Sequence, residues 1–347
     1  MKLLVLAAAA VAALAVMTTV SAAPTPSAMT FEEFKDKYNK VYESAEEEAR
    51  RAAIFQESLD FIEKHNAEAA AGMHTYLVGV NEFADLTREE FRQHHVTRLP
   101  FDDDKRDPVT ATLHLDEHAV HAADSNGDSS GIDWRKRGAV TPVRNQGQCG
   151  NPAIFAAVEA VEGMHAISSG NLVELSTQQV IDCSGTPGCS GGSLVSFFKY
   201  IARNGGLDSA ADYPTSGAGG QCNKAKEARH VAKVGGYSVV PPRNETKLAA
   251  AVFKMPVAVA IEADTPSFQM YTSGVYSGPC GTQLDHAVLV VGYTDEYWIV
   301  KNSWGASWGD QGYIMMKRGV GAAGICGITL DAMYPTATNA TVATLHL

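Results

Sequence analysis

The stretch Asp133-Trp134-Arg135-Lys136-Arg137-Gly138-Ala139-Val140-Thr141-Pro142-Val143-Arg144-Asn145-Gln146-Gly147-Gln148-Cys149-Gly150-Asn151-Pro152-Ala153-Ile154-Phe155, which runs on to Ile167, decides the fold. Its second half, Asn151 to Ile167, reads as one long Ala-rich helix. Asn151 is a favoured residue for the N-cap. Pro152 suits the first helical position, where a backbone N–H has no partner anyway. Downstream the pattern turns to strands. A short helix starts at Ala249, and strands follow at Pro256–Glu262, Ala287–Tyr293, Tyr297–Lys301 and Gly312–Lys317. Helices first and strands later predict an α+β fold, with a helical lobe packed against a barrel-like β lobe.

Upstream, residues 99–131 lack apolar periodicity and are rich in Asp, His, Ser and Gly, which reads as a linker. Asp124-x-Asn126-x-Asp128 begins like a calcium loop. Ser129 stands where that loop needs Gly, and Arg135 stands where it needs its last Glu, so the reading fails. Residues 31–70 read as helix. Phe31, Phe34 and Tyr38 recur at helical spacing behind Thr30 as N-cap, and a run from Ser44 to Ala71 repeats the pattern. Thr75–Phe83 alternates like a strand, and Thr87 is placed to cap a short helix, Arg88–His94. At the start, Lys2, an apolar stretch from Leu3 to Met17 and the small residues of Val20-Ser21-Ala22 form a secretory signal peptide, residues 1–22. As a membrane anchor the stretch is too short, and no other long apolar run follows.

Of the 347 residues, 45% are apolar and 19% charged, which fits a globular chain with a sizeable core. The net charge of −11 is confined to one region. Residues 1–129 hold 12 Lys and Arg against 23 Asp and Glu, whereas residues 130–347 hold 16 of each. There is no basic face for nucleic acid. The six cysteines, Cys149, Cys183, Cys189, Cys222, Cys280 and Cys326, are an even number in an exported chain, which points to three disulfides and no free thiol. Their spacings contain no Cys-x-x-Cys pair and fit no zinc finger, so no metal is expected.

Four blocks carry a resemblance to a known family. Residues 133–150, Cys189-Ser-Gly191-Gly192, Leu284-Asp285-His286-Ala287-Val288, and Asn302-Ser303-Trp304-Gly305 with Trp308-Gly309 resemble, in order, the blocks of the papain family, in its cathepsin L-like branch. The N-terminal region is similar to that branch's inhibitory pro-segment. Glu47, Arg51, Phe55, Ile62 and Asn66 fall on one of its motifs, with Ser58 replacing a central Asn, and Gly79-x-Asn81-x-Phe83-x-Asp85 matches a second. The resemblance spans about residues 31–335. It implies a signal peptide (1–22), a pro-segment with linker (23–129) and a two-lobed peptidase-type domain (130–347), mainly helical over 130–237 and mainly β over 238–347. It also implies the pairing Cys149–Cys189, Cys183–Cys222 and Cys280–Cys326.

The family's chemistry needs a thiolate to attack the scissile carbonyl, a His to move the proton, an Asn to orient the His, and two donors for the oxyanion. By resemblance His286 is the His, Asn302 the Asn, Trp304 the indole that shields their contact, and Gln146 the side-chain donor. The catalytic Cys position falls on Pro152, and its neighbouring Trp position on Ala153. Phe155 keeps register, so no insertion realigns the block. Proline carries no nucleophile, and it lacks the backbone N–H that serves as the second oxyanion donor. Loss of one such donor typically raises a barrier by about 2.7–4 kcal/mol. The expectation is therefore a non-catalytic homologue that keeps a groove for peptides or protease inhibitors and needs no cofactor. The competing reading is an active cysteine endopeptidase using another thiol, of which Cys149 is the nearest. A storage or structural role has no positive signal.

Other positions complete the reading. Gly191 and Gly192 resemble the segment that pairs with an extended ligand, and Asp285 flanks the His. Asp331 falls where relatives close the pocket for the second side chain before the cleaved bond; a carboxylate there favours Arg or Lys. The alternative for Asp331 is an exposed carboxylate near the C-terminus. Asn244-Glu-Thr246 and Asn339-Ala-Thr341 are glycosylation sequons. His94, His95, His114, His118 and His121 crowd the pro-segment and linker, read as solvated residues whose protonation loosens the pro-segment in acid. A secreted or lysosomal (vacuolar) monomer is expected, with its own pro-segment as a partner.

Overall fold

The computed structural model of the chain describes residues 29–96, 131–147, 149–186 and 188–338. The stretch read as a signal peptide (residues 1–22), residues 97–130 with His114, His118 and His121, and the Asn339 sequon lie outside the described residues. Residues up to Lys40 form one unit and Val41 onward a second. The first holds α1 (Phe31–Tyr38), whose Thr30 and Glu33 form a reciprocal capping box. Its end is set by Asn39, which takes the left-handed conformation at φ 51°. That break divides the helix expected over residues 31–70 into two.

In the second unit, α2 (Ala45–Ala70) starts at Ser44, whose hydroxyl accepts the Glu47 N–H at 3.2 Å. Glu46, Glu47 and Glu48 in its first turn suit the positive end of the helix dipole. Glu47 pairs with Arg51 one turn on at 2.6 Å, and Arg51 reaches Glu90 at 2.9 Å and the Asp85 carbonyl at 2.8 Å. Asn66 binds Val78 at both backbone groups: its amide donates to the Val78 carbonyl (2.8 Å) and its oxygen accepts the Val78 N–H (3.1 Å). This holds β1 (Tyr76–Val78) against α2. The strand is shorter than its sequence pattern implied. From Gly79 the backbone is bonded elsewhere: Gly79 N–H goes to Met270 and Phe83 N–H to the Asn81 side chain, so the alternation Asn81-x-Phe83-x-Asp85 is a turn. Helix α3 (Arg88–His94) follows with a Thr87/Glu90 capping box.

The remainder runs β2 (Ile132–Asp133), α4 (Pro152–Ser169), α5 (Thr177–Cys183), α6 (Leu194–Asn204), β3 (Gly206–Leu207), α7 (Lys224–Glu227), β4 (Ala232–Lys233), β5 (Gly236–Val239), α8 (Glu245–Lys254), β6 (Val257–Ile261), α9 (Pro266–Gln269), β7 (Tyr271–Tyr276), β8 (His286–Tyr293), β9 (Tyr297–Lys301), β10 (Tyr313–Lys317) and β11 (Ala332–Thr336). The main sheet has the order β1-β7-β10-β9-β8-β6-β11-β5, with β2 beside β8. Its pairings are antiparallel except β7 with β10. The central strands are buried on both faces, so alternate residues feed two cores. Val257, Val259 and Ile261 of β6 and Val288 and Val290 of β8 enter one, with the buried tryptophans. Ala258, Ala260, Ala287, Leu289 and Val291 enter the other, against α4 and α6. Small side chains on that face let α4 lie close to the sheet.

Candidate active site

His286 opens β8, opposite Ile261 of β6, and Asn302 directly follows β9. The His286 Nε2 lies 2.8 Å from Asn302 Oδ1, and the Ser303 N–H donates to that same oxygen at 2.8 Å. An atom that accepts a backbone N–H is the amide oxygen, so it also accepts from the imidazole. Nε2 therefore carries the hydrogen, and Nδ1 presents its lone pair. The ring is fully buried and Nδ1 meets no partner. Desolvation pushes the His286 pKa down to about 4, against the raising effect of the Asn302 bond and with a small lowering from His95. The ring is neutral at physiological pH. Trp304 stacks on it at 4.5 Å between centroids.

Gln146 is fixed from the other side of the site. Its N–H donates to the Ser303 carbonyl (2.8 Å), its side-chain oxygen accepts from Ser303 Oγ (2.7 Å), and Asn145 bridges to Trp304. Its free amide end reaches the Cys149 carbonyl at 3.2 Å and, from the N-terminal segment, the His95 carbonyl at 3.4 Å. Phe83 and Phe91 of that segment press edge-on to Trp304 at 5.7 and 5.1 Å. The N-terminal segment thus lies over the site.

Pro152 is the first residue of α4 and is buried. Asn151 is at the N-cap position, but its side chain does not cap, contrary to the sequence expectation. Instead it donates to the Gly188 and Gly191 carbonyls, both at 2.8 Å. Two carbonyls converge on that amide, which draws it away from the helix end. Gly191 and Gly192 have φ of 143° and 150°, and a Cβ on Gly192 would come within 2.4 Å of the Phe197 ring. Only glycine fits there.

Asp285 is buried, with one carboxylate oxygen accepting the Ala263 N–H at 2.8 Å. Desolvation pushes its pKa up to about 7, against that bond, with Asp264 and Glu262 adding to the rise. Asp331 is buried too, its carbonyl accepting the Ala260 N–H at 2.8 Å, so it is not the exposed terminal carboxylate considered as the alternative. All six cysteines are joined: Cys149–Cys189, Cys183–Cys222 and Cys280–Cys326. No thiolate remains for zinc or for attack. Asn244 caps α8 through its oxygen, which accepts the Lys247 N–H at 2.9 Å. Sequence reasoning passed over Ser303, although it sits inside the Asn-Ser-Trp block, and over the buried pair Glu159–Lys301 and the ion pair Arg88–Asp264, which no local pattern reveals.

Known proteins share this architecture. Residues 129–336 match the papain family cysteine protease domain, and residues 31–91 the cathepsin propeptide inhibitor domain. Cysteine protease 1 of Oryza sativa subsp. japonica is 44% identical over 300 residues, covering 83% of this chain and 59% of its own length. Cysteine protease XCP2 of Arabidopsis thaliana is 40% identical over 316 residues, covering 89% and 86%. The solved recombinant stem bromelain precursor superposes with a TM-score of 0.79 at 41% identity, over 89% of this chain and 98% of that one. The chain belongs to the papain family of cysteine proteases and carries the family's own inhibitory propeptide domain. It spans less than two thirds of Cysteine protease 1. Among the described residues no helix is long and apolar enough to cross a membrane.

Proposed function

We propose that this chain is a member of the family that binds peptides or protease inhibitors in its cleft and does not cleave peptide bonds. The observation that carries this reading is the thiol inventory: every cysteine is in a disulfide, and α4 opens with Pro152, which by resemblance stands at the nucleophile's position. An active thiolate forms an ion pair with an imidazolium. Here no thiol is free to make that pair, and His286 presents a bare Nδ1 suited to accepting a hydrogen bond from a ligand. In this reading Asn302 and Trp304 hold that ring. Gln146 keeps its donor for a ligand carbonyl, but the second donor is missing because proline has no N–H.

The cleft itself has what binding requires. Gly191 and Gly192 offer backbone groups to an extended ligand, and Asp285 supports the chain beside His286. Asp331 forms the floor of a pocket that prefers Arg or Lys. Residues 1–22 direct export, residues 23–129 act as removable pro-segment and linker, and residues 130–347 bind the ligand. The protein acts outside the cell or in a lysosomal or vacuolar compartment, with glycans at Asn244 and Asn339. The alternative nucleophile Cys149 is occupied by Cys189. Reaction with a thiol-directed epoxide tests the proposal: no adduct is expected, whereas an active enzyme of this family would be stoichiometrically labelled.

A further inference from the structure

The helix that covers the cleft is held by a guanidinium seat. Arg88 of α3 donates from Nε to the Asp264 carbonyl and from Nη2 to Asp264 Oδ1, both at 3.0 Å. Arg92, one turn on, has its Nε 3.9 Å from Asp264 Oδ2. A backbone carbonyl and a carboxylate offered side by side match the planar fork of arginine, which meets them through two separate nitrogens held in a fixed geometry, whereas an ammonium meets them as a point charge with no such fork. The acceptor is rigid. Asp264 is 7% exposed. The preceding residue, Ala263, is bonded to Asp285, and the following residue, Thr265, caps α9. The guest is not rigid: the Arg88 side chain is 56% exposed. Between the two arginines, Phe91 packs on Trp304, which stacks on His286. The helix that fills the seat is thus the one that also carries Phe91 onto Trp304, over the ring of His286.

We propose that Asp264 forms an arginine subsite at the edge of the cleft, filled here by Arg88 and taken by an arginine of the peptide or inhibitor that displaces the pro-segment. When the pro-segment leaves, both cations leave with it. Asp264 then faces solvent with no cation on it, and its field, with that of Glu262, acts on the buried Asp285. A partner that restores only the aromatic contact to Trp304 leaves this negative charge uncompensated. One that also carries an arginine replaces what was lost, so the subsite selects among ligands of the cleft.

This inference rests on the binding reading above, and its test does not depend on thiol chemistry. The full chain with Arg88→Ala is followed by amide hydrogen exchange across residues 84–96, alone and with ethylguanidinium or ethylammonium chloride at equal ionic strength. Removing an exposed charge-assisted pair is expected to speed exchange in α3 by about two- to fivefold. Ethylguanidinium in the tens of millimolar restores at least half of that protection, ethylammonium does not, and neither affects the unaltered chain. Adding Asp264→Asn abolishes the rescue. Unchanged exchange in Arg88→Ala, equal rescue by both cations, or rescue that survives Asp264→Asn would each overturn the proposal. Stoichiometric epoxide labelling with an intact guanidinium rescue would instead leave the subsite standing and refute the non-catalytic reading.

Discussion

Replacing Lys301 by Met isolates a charge beneath the site. Lys301 lies in β9, one residue before Asn302, with its ammonium fully buried. It pairs with Glu159 of α4 at 3.0 Å and donates to Thr141 at 3.1 Å. Glu159 is 3% exposed. Lys301→Met leaves that carboxylate with a choice of staying charged in a dry interior or taking a proton from solvent. Truncating one partner of a buried pair costs roughly 3–5 kcal/mol. Protonation sets a similar bound: pH 7 lies about 2.7 units above the reference value of a glutamate, at about 1.36 kcal/mol per unit, or near 3.7 kcal/mol. At pH 5 the same sum is about 1 kcal/mol. The variant is therefore expected to lose about 4 kcal/mol at pH 7, a fall of about 6 °C in Tm at an unfolding entropy of about 2.1 cal/mol/K per residue over about 300 residues, and much less at pH 5. Lys301→Met with Glu159→Leu removes both charges and should recover to within about 1–2 kcal/mol of the parent. Urea unfolding followed by tryptophan fluorescence at both pH values measures this. A Lys301→Met penalty below about 1 kcal/mol at pH 7, or a double variant no better than the single, would refute the argument that a desolvated pair joins α4 to β9.

Asn66→Ala removes both side-chain bonds to Val78 and leaves its backbone groups with only water to replace them. The expected cost is about 2 kcal/mol, or roughly thirtyfold faster hydrogen exchange at the Val78 amide, and exchange within threefold of the parent would contradict the clamp. Acid should loosen the same region through His65. Burial lowers the His65 pKa, the bond to the Tyr76 carbonyl opposes this, and the stacked His74 ring at 4.1 Å adds to the lowering. A histidine with a depressed folded value binds fewer protons folded than unfolded. Stability therefore falls as pH drops below about 6.5. Asp285, with its raised value, works in the opposite direction, so His65 is read by difference: between pH 7 and pH 5 the urea midpoint of His65→Gln should fall less, or rise more, than that of the parent, and equal changes in the two would remove His65 from the account.

Much of the fold was legible because its signals are local. Thr30 and Thr87 each cap the helix expected of them, and the run expected from Ser44 to Ala71 is a helix that Ser44 caps. The strand assignments fell within a residue or so of β6, β8, β9 and β10: β6 and β8 are runs rich in Val and Ala buried on both faces, and β10 alternates buried and less buried positions. Other elements were missed for physical reasons. β11 contains Pro335, which argues against a strand in sequence, yet it lies between β5 and β6. β7 carries Gly274, where a Cβ would strike the Thr75 carbonyl at 2.5 Å, a requirement visible only once β1 lies beside it. α6 had a readable Ser193/Ser196 capping box and an amphipathic face, and was simply overlooked. At the site, the resemblance named His286, Asn302, Trp304 and Gln146, and the structure brings these four together. Their fixation was not. Ser303 joins Gln146 to Asn302 across 157 residues of sequence, and Asn151 abandons the helix end because two distant carbonyls satisfy its amide better.

The measurement that most directly tests the central claim compares the parent chain with Pro152→Cys. Each is treated with an added protease to cut the pro-segment, incubated with a thiol-directed epoxide, and mapped by mass spectrometry. The substitution supplies both a thiol and a backbone N–H at the start of α4, next to a site whose His286 and Asn302 are already joined at 2.8 Å. The account predicts no adduct on the parent and one adduct per chain on the variant, at the substituted position. Stoichiometric labelling of the parent at any residue of the cleft, Cys149 included, would contradict it.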